Sequence, residues 1–183
     1  MSYFVLIGVA FLFIEMAWIQ RLQLFLGLPV YATTAVLVTF LLFAGLGSLW
    51  SQNRSGPRAH RVLVSAVIAI LLSSLVYLFY MPSWLDAAAD LPVWTRGILV
   101  LVLLAPLAFA MGIPFPTGLK ELGRSSPQLI PWAWGINGCA SVISAAGAPL
   151  LAMEIGFNGL ITVAVIAYLL LPAIRFNRET TGS

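Results

Sequence analysis

From Val30 to Trp50, and again from Val62 to Met81, the chain runs without a charged side chain. A helix needs roughly 20 mainly apolar residues to cross the hydrocarbon layer of a bilayer. Stretches of this kind recur along nearly the whole chain and leave no room for a sizeable soluble domain. Of its 183 residues, 61% are hydrophobic and only 8% are charged. A soluble domain is typically about 45–50% apolar and about 25% charged. A water-exposed fold of this size would leave too much apolar surface uncovered, and lipid removes that difficulty. The sequence therefore predicts an all-α integral membrane protein.

Six spans are expected, at about residues 3–20 (with continuation toward Phe25), 30–50, 62–81, 96–113, 131–153 and 158–174. They form one transmembrane domain over 1–175, followed by a polar tail over 176–183. Gly27-Leu28-Pro29 separates the first two spans, because proline disfavours helix at the residue before it. Pro82 to Thr95 reads as a longer loop. Thr117 to Arg124 reads as a short interfacial helix, and Gly156-Phe157-Asn158-Gly159 as a tight turn. Met1-Ser2-Tyr3 has neither a basic leader nor a small-residue cleavage site, so the first apolar stretch is read as a retained helix.

Charge sets the expected orientation. With six spans, both termini share one side with the second and fourth loops. That side holds Arg54, Arg58, Arg61, Lys120, Arg124, Arg175 and Arg178, whereas the other holds only Arg21 and Arg96. Basic loops stay in the cytoplasm, so both ends are placed there. Asp86, Asp90 and Glu154 collect on the opposite side. Trp50, Trp84, Trp94 and Trp132 fall near the expected membrane edges, where amphipathic rings settle. The net charge of +3 is explained by these loops and gives no reason to expect nucleic acid as a partner.

Glu15 is the most informative residue, since it interrupts the apolar run Phe11 to Trp18. A carboxylate in hydrocarbon costs several kcal/mol, so it must face the interior, find a partner or carry a proton. It is a proton or cation site, a structural hydrogen bond to a neighbouring helix, or, if the first span is shallow, a headgroup-level carboxylate. Arg21, Gln20, Asn137 and Arg96 are the residues able to pair with it. Arg21 lies six residues on and points to a different helix face, which favours a partner on another helix. Asn137 lies in the small-residue stretch Gly135 to Ala148, which permits close helix approach. Glu15, Asn137 and Arg21 are the candidate intramembrane polar site. Cys139 reads as a small packing residue and Gly45-Leu46-Gly47-Ser48 as helix packing rather than a phosphate loop. His60 is the only histidine and Cys139 the only cysteine. No Cys/His metal cluster, intrachain disulfide or base–nucleophile pair is built from these. No catalytic residue and no cofactor is expected.

Three stretches carry a family resemblance. Glu15-Met16-Ala17-Trp18-Ile19-Gln20-Arg21-Leu22 runs on through Phe25-Leu26-Gly27 and Tyr31-Ala32 to Gly45-Leu46-Gly47-Ser48. The others are Met111-Gly112-Ile113-Pro114-Phe115-Pro116-Thr117-Gly118-Leu119, and Pro131-Trp132-Ala133-Trp134-Gly135-Ile136-Asn137-Gly138-Cys139-Ala140-Ser141-Val142. In this order they resemble the membrane region of bacterial membrane-bound spermidine synthase-like proteins. In many of these, a helical region related to the major facilitator superfamily is fused to a soluble aminopropyltransferase-like domain. The resemblance implies a helical bundle in a bacterial cytoplasmic (inner) membrane. The chain departs from the family where the soluble domain's glycine-rich cofactor turn would stand, so aminopropyl transfer is not expected. It reads as a stand-alone membrane module or as the membrane part of a longer protein.

Two functions are compatible with these features. The leading one is a transporter-like bundle for a small, cationic solute, with polyamine suggested by the resemblance alone. The alternative is a non-catalytic membrane subunit that anchors or organises a soluble enzyme or a larger membrane complex. Lipid is the expected environment, and a homodimer or a second protein subunit the expected partner.

Overall fold

A computed structural model describes residues 1–52 and 57–180, with side chains described at 1–52 and 58–174. Arg54 and the side chains of Arg175 and Arg178 lie outside the described residues. The chain is all-α among those described: α1 (Ser2–Leu26), α2 (Pro29–Ser51), α3 (Pro57–Ala87), α4 (Val93–Met111), α5 (Pro114–Ser125) and α6 (Ile130–Thr180), with a short 3₁₀ turn at Pro127–Leu129. Five segments are long and apolar enough to cross a membrane: Ser2–Leu26, Pro29–Ser51, Arg58–Ala87, Val93–Ser125 and Pro127–Ile174. Such a set of helices is that of an integral membrane protein in contact with a bilayer.

Local sequence explains most of the boundaries. Gly27 closes α1 in the left-handed conformation (φ 80°), and its N–H donates to the Gln23 carbonyl. Pro29 then opens α2 in the first helical turn, where a missing N–H costs nothing. Pro114 opens α5 in the same way. The first helix continues past Gln20 to Leu26, as the expected continuation toward Phe25 has it, whereas the expected stop at Pro82 is not a stop, since α3 runs through it to Ala87. Proline is tolerated within membrane helices, and Pro82, Pro106, Pro149 and Pro172 all sit inside helices.

Gly156 interrupts α6 with φ 72° and ψ 171°, far from helical values. Contacts on either side give the path of the chain. Asn137, before the break, bonds to Phe4 near the start of α1, while Asn158, just after it, bonds to Arg21 near the end of α1. Ile174, near the close of the second half, borders the same cavity as Met1 and Phe4. The chain therefore reverses at Gly156, and residues 130–155 and 157–180 run antiparallel beside α1.

The same reasoning orders the rest. Arg96, early in α4, bonds to Phe25 at the end of α1 and to Ala89 just beyond α3, so α1 and α3 run in the same direction. The later part of α2 meets the end of α4: a Cβ on Gly47 would fall on the Phe109 carbonyl, and one on Gly112 on the Ala44 carbonyl. Of the Gly45-Leu46-Gly47-Ser48 stretch expected to serve packing, Gly47 is packed in this way, whereas a Cβ on Gly45 would meet open space. α1 sits at the centre. It packs most extensively against α6 and also against α2, and it is the most deeply buried of the five segments. Ala10, Ile14, Ala17, Trp18 and Leu22 have essentially no exposed surface.

Candidate functional site

Most polar side chains in this bundle have an evident structural job. Thr39, Thr117 and Ser144 each bond to the carbonyl four residues earlier on their own helix, at 2.6–2.7 Å. Ser65 donates to Val62, one turn before it. Tyr3 donates to the Pro114 carbonyl (2.8 Å), tying α1 to α5. Tyr77 of α3 donates to the Leu103 carbonyl of α4. A hydroxyl surrounded by hydrocarbon gains little elsewhere, so these backbone acceptors are the default.

The candidate residues divide on this test. Asn137 donates through Nδ2 to the Phe4 carbonyl at 3.0 Å, joining α6 to α1. Arg21 donates to the Asn158 carboxamide oxygen at 2.8 Å, and its guanidinium also lies 5.8 Å from the Trp18 ring centroid. Arg96 donates to the carbonyls of Leu91 (2.7 Å), Phe25 (2.8 Å) and Ala89. None of the three pairs with Glu15. Their reach is committed to helix ends, whereas Glu15 stands near the middle of α1. Asn137 lies opposite Gly8, roughly 10 Å along the axis from Glu15 at about 1.5 Å per residue. The structure thus does not gather Glu15, Asn137 and Arg21 into one site.

Glu15 is 5% exposed and makes no hydrogen bond or ion pair among the described residues. Three buried polar atoms lack a protein partner: Trp18 Nε1, Ser74 Oγ and Tyr168 OH. Trp18 is on the same face as Glu15, one turn on. Its ring meets Tyr77 edge-on, with centroids 5.5 Å apart. Ser74 precedes Tyr77 by one turn on α3, as Glu15 precedes Trp18 on α1.

The sequence did not single out Trp18, Ser74 or Tyr168 as buried polar groups without a protein partner. Trp18 could have been found from its spacing to Glu15. Ser74 and Tyr168 carry no local signal, because helix rotation decides whether they face the interior. Cys139 differs from expectation too, since it lies exposed on the outer face of α6. Asp86 and Asp90 are exposed at the end of α3 and beyond it. A concavity of about 430 Å³ opens at the start of α1 among Tyr3, Phe4, Gly118, Glu121 and Ser125. Among the described residues, no group of three or more His, Cys, Asp or Glu side chains is placed to hold a metal ion.

Compared with protein families, curated proteins and solved structures, the chain matches none.

Proposed function

We propose that this chain is a six-span, transporter-like bundle that moves a small cationic solute across a bacterial cytoplasmic membrane, with Glu15 as its interior acidic group. The observation that carries this reading is a carboxyl group buried at the centre of the most buried helix with no protein partner. Such a group is expensive in a membrane, and intramembrane acids that persist mark ion or proton pathways. The reversal at Gly156 supports six crossings rather than five. Orientation follows from the same path: Arg58, Arg61, Lys120 and Arg124 lie toward one end of the bundle, while Arg21 and Arg96 lie toward the other. The resemblance to the spermidine synthase-like membrane region favours an organic cation as the solute.

Flux in proteoliposomes tests the reading. Candidate cations, polyamines among them, should enter vesicles containing the wild-type chain. Glu15→Gln should reduce entry at least tenfold without loss of folded protein. Undiminished flux in that variant would remove Glu15 from the mechanism.

The alternative, a membrane subunit that anchors a partner, draws on one observation. Gly135, Gly138, Cys139 and Val142 lie exposed along the outer face of α6, where small side chains permit close approach by another helix. Native mass spectrometry from mild detergent separates the two readings. A second protein in fixed ratio favours the subunit, and a lone chain or homodimer favours the transporter.

A further inference from the structure

We infer that the cavity at the start of α1 binds an organic ion with a single ammonium group, whose head pairs with the Glu121 carboxylate and whose apolar body lies against Tyr3, Phe4 and their aliphatic neighbours. The inference rests on the organic-cation reading above and narrows its substrate class to monoamines, at a site separate from Glu15. Phe4, which borders the cavity, lies roughly 16 Å from Glu15 along α1 at about 1.5 Å per residue.

Charge at this end of the bundle decides the sign of the ligand. Among the described residues, Arg58, Arg61, Lys120 and Arg124 gather here, as basic residues do on one side of a membrane. Glu121 is the exception, the one acidic side chain described at this end, and it lines the cavity. Helical geometry accounts for its direction. Gly118, Glu121, Leu122 and Ser125 border the cavity from α5, at the three-, four- and seven-residue spacing that shares one helix face. Lys120 and Arg124 fall on the neighbouring face of α5 and do not line the cavity. A partly buried carboxylate therefore borders a concavity from which the basic residues of the same helix are turned away. Such a wall attracts a cation. A carboxylate offers about four acceptor positions, so an ammonium group adds to the contacts that Glu121 already makes.

The rest of the wall decides the kind of cation. At about 430 Å³ the cavity lies within the range of roughly 300–1,000 Å³ common for small-molecule sites. Ser2, Ser125 and Ser126 add hydroxyls beside Glu121. The remainder is mainly rings and aliphatic chains, those of Tyr3, Phe4, Leu122, Leu129 and Ile174. Aromatic rings receive apolar groups and attract cations. A bare metal cation needs several oxygen ligands and gains little from an aliphatic wall. A polyamine brings two or more ammonium groups to a wall on which one carboxylate is described. Its further charges would be desolvated against hydrocarbon or meet Lys120 and Arg124. One ammonium group on an apolar body fits both parts of the wall.

The two rings are held in place. Tyr3 donates to the Pro114 carbonyl at 2.8 Å and stands edge-on to Phe4, with ring centroids 5.4 Å apart. Phe4 in turn meets Phe115 edge-on at 5.8 Å. Gly118 lets Tyr3 come this close to α5, since a Cβ there would fall on the Tyr3 ring. A wall fixed in advance loses little freedom when a ligand binds.

The test is equilibrium dialysis of the full chain in lipid nanodiscs against phenethylammonium, with uptake by empty nanodiscs subtracted. Saturable binding is expected. Glu121→Gln should weaken it at least tenfold, and Glu121→Asp, which keeps the charge, should retain most of it. Ser125→Trp, which fills the cavity, should abolish it, whereas Asp86→Asn, at the other end of the bundle, should leave it unchanged. Circular dichroism checks that each variant is folded. Phenethyl alcohol, the same body without the charge, and spermidine should each compete at least tenfold less well than phenethylammonium itself. Wild-type binding in either Glu121→Gln or Ser125→Trp would overturn the site. Equal competition by the alcohol would overturn the role of the charge, and equal competition by spermidine the restriction to monoamines. Binding is read without flux. Binding that depends on Glu121, with no cation entering proteoliposomes, leaves the cavity site standing and removes transport. Flux that depends on Glu15, with no saturable binding at the cavity, does the reverse.

Discussion

Arg96 and Arg21 look alike in sequence: each is a lone cation near the end of an apolar span. The structure gives them unequal work. Arg96 ties three backbone carbonyls together, those of Phe25, Leu91 and Ala89, and lies 5.6 Å from the Phe25 ring centroid. It thereby holds the end of α1 and the turn after α3 against the start of α4. Arg21 makes one exposed bond to Asn158. Hydrogen bonds to charged groups contribute about 1.5–3 kcal/mol where they are partly sheltered, and less in water. Arg96→Ala should therefore cost about 2–3 kcal/mol and Arg21→Ala about 1 kcal/mol or less. Thermal unfolding in detergent checks the order, and Arg96→Lys should recover little, because an ammonium group cannot span the three carbonyls. Glu15 as an intramembrane acid was legible in the sequence, because a carboxylate among Phe11, Ile14 and Trp18 violates the hydropathy of its span, and the structure buries it. Its separation from the candidate partners was not legible: Asn137, Arg21 and Arg96 are all occupied with helix ends, and which face each uniformly apolar helix turns inward leaves little sign in its sequence.

At the scale of single helices, glycine placement distinguishes close packing from turning. Gly47 and Gly112 stand where α2 meets α4, each with a backbone carbonyl of the opposite helix in the space a Cβ would take. Backbone cannot move aside as a flexible side chain can, so Gly47→Ala and Gly112→Ala should each destabilise by about 1–3 kcal/mol. Gly135→Ala is the control, since its Cβ would meet open space. Gly156 differs in kind. Its Cβ would also meet nothing, but its φ of 72° with ψ of 171° is a region essentially restricted to glycine. Gly156→Ala should cost about 1–3 kcal/mol through the backbone alone. Loss of stability in Gly156→Ala but not in Gly135→Ala, read by thermal unfolding, would separate strain from crowding. The turn at Gly156 was legible in Gly156-Phe157-Asn158-Gly159, whereas the helical course through Pro82 was not, because proline reads locally as a helix stop and is tolerated inside membrane helices.

Across the whole molecule, the reversal at Gly156 decides on which side of the membrane the chain ends. If residues 130–174 crossed once, the end of α6 would lie opposite the loop between α2 and α3. If they form two antiparallel crossings, it lies on the same side as that loop and α5. The contacts of α1 favour the second arrangement, since Asn158 reaches Arg21 at one end of α1 while Ile174 returns to the cavity bordered by Met1 and Phe4 at the other. The charge distribution favours it independently, because lysine and arginine gather on cytoplasmic loops. Single cysteines in a Cys139→Ser background make the distinction. Asp90→Cys and Glu154→Cys should react with a membrane-impermeant maleimide added outside intact cells. Ser125→Cys and a cysteine appended after Ser183 should react only once the membrane is opened. Labelling of the appended cysteine from outside, with Ser125→Cys still protected, would mean that α6 crosses once and that the turn at Gly156 lies within the bilayer. Protection of both, with Glu154→Cys exposed, establishes the sixth crossing and places the two halves of α6 on either side of the turn, each spanning beside the helix that carries Glu15.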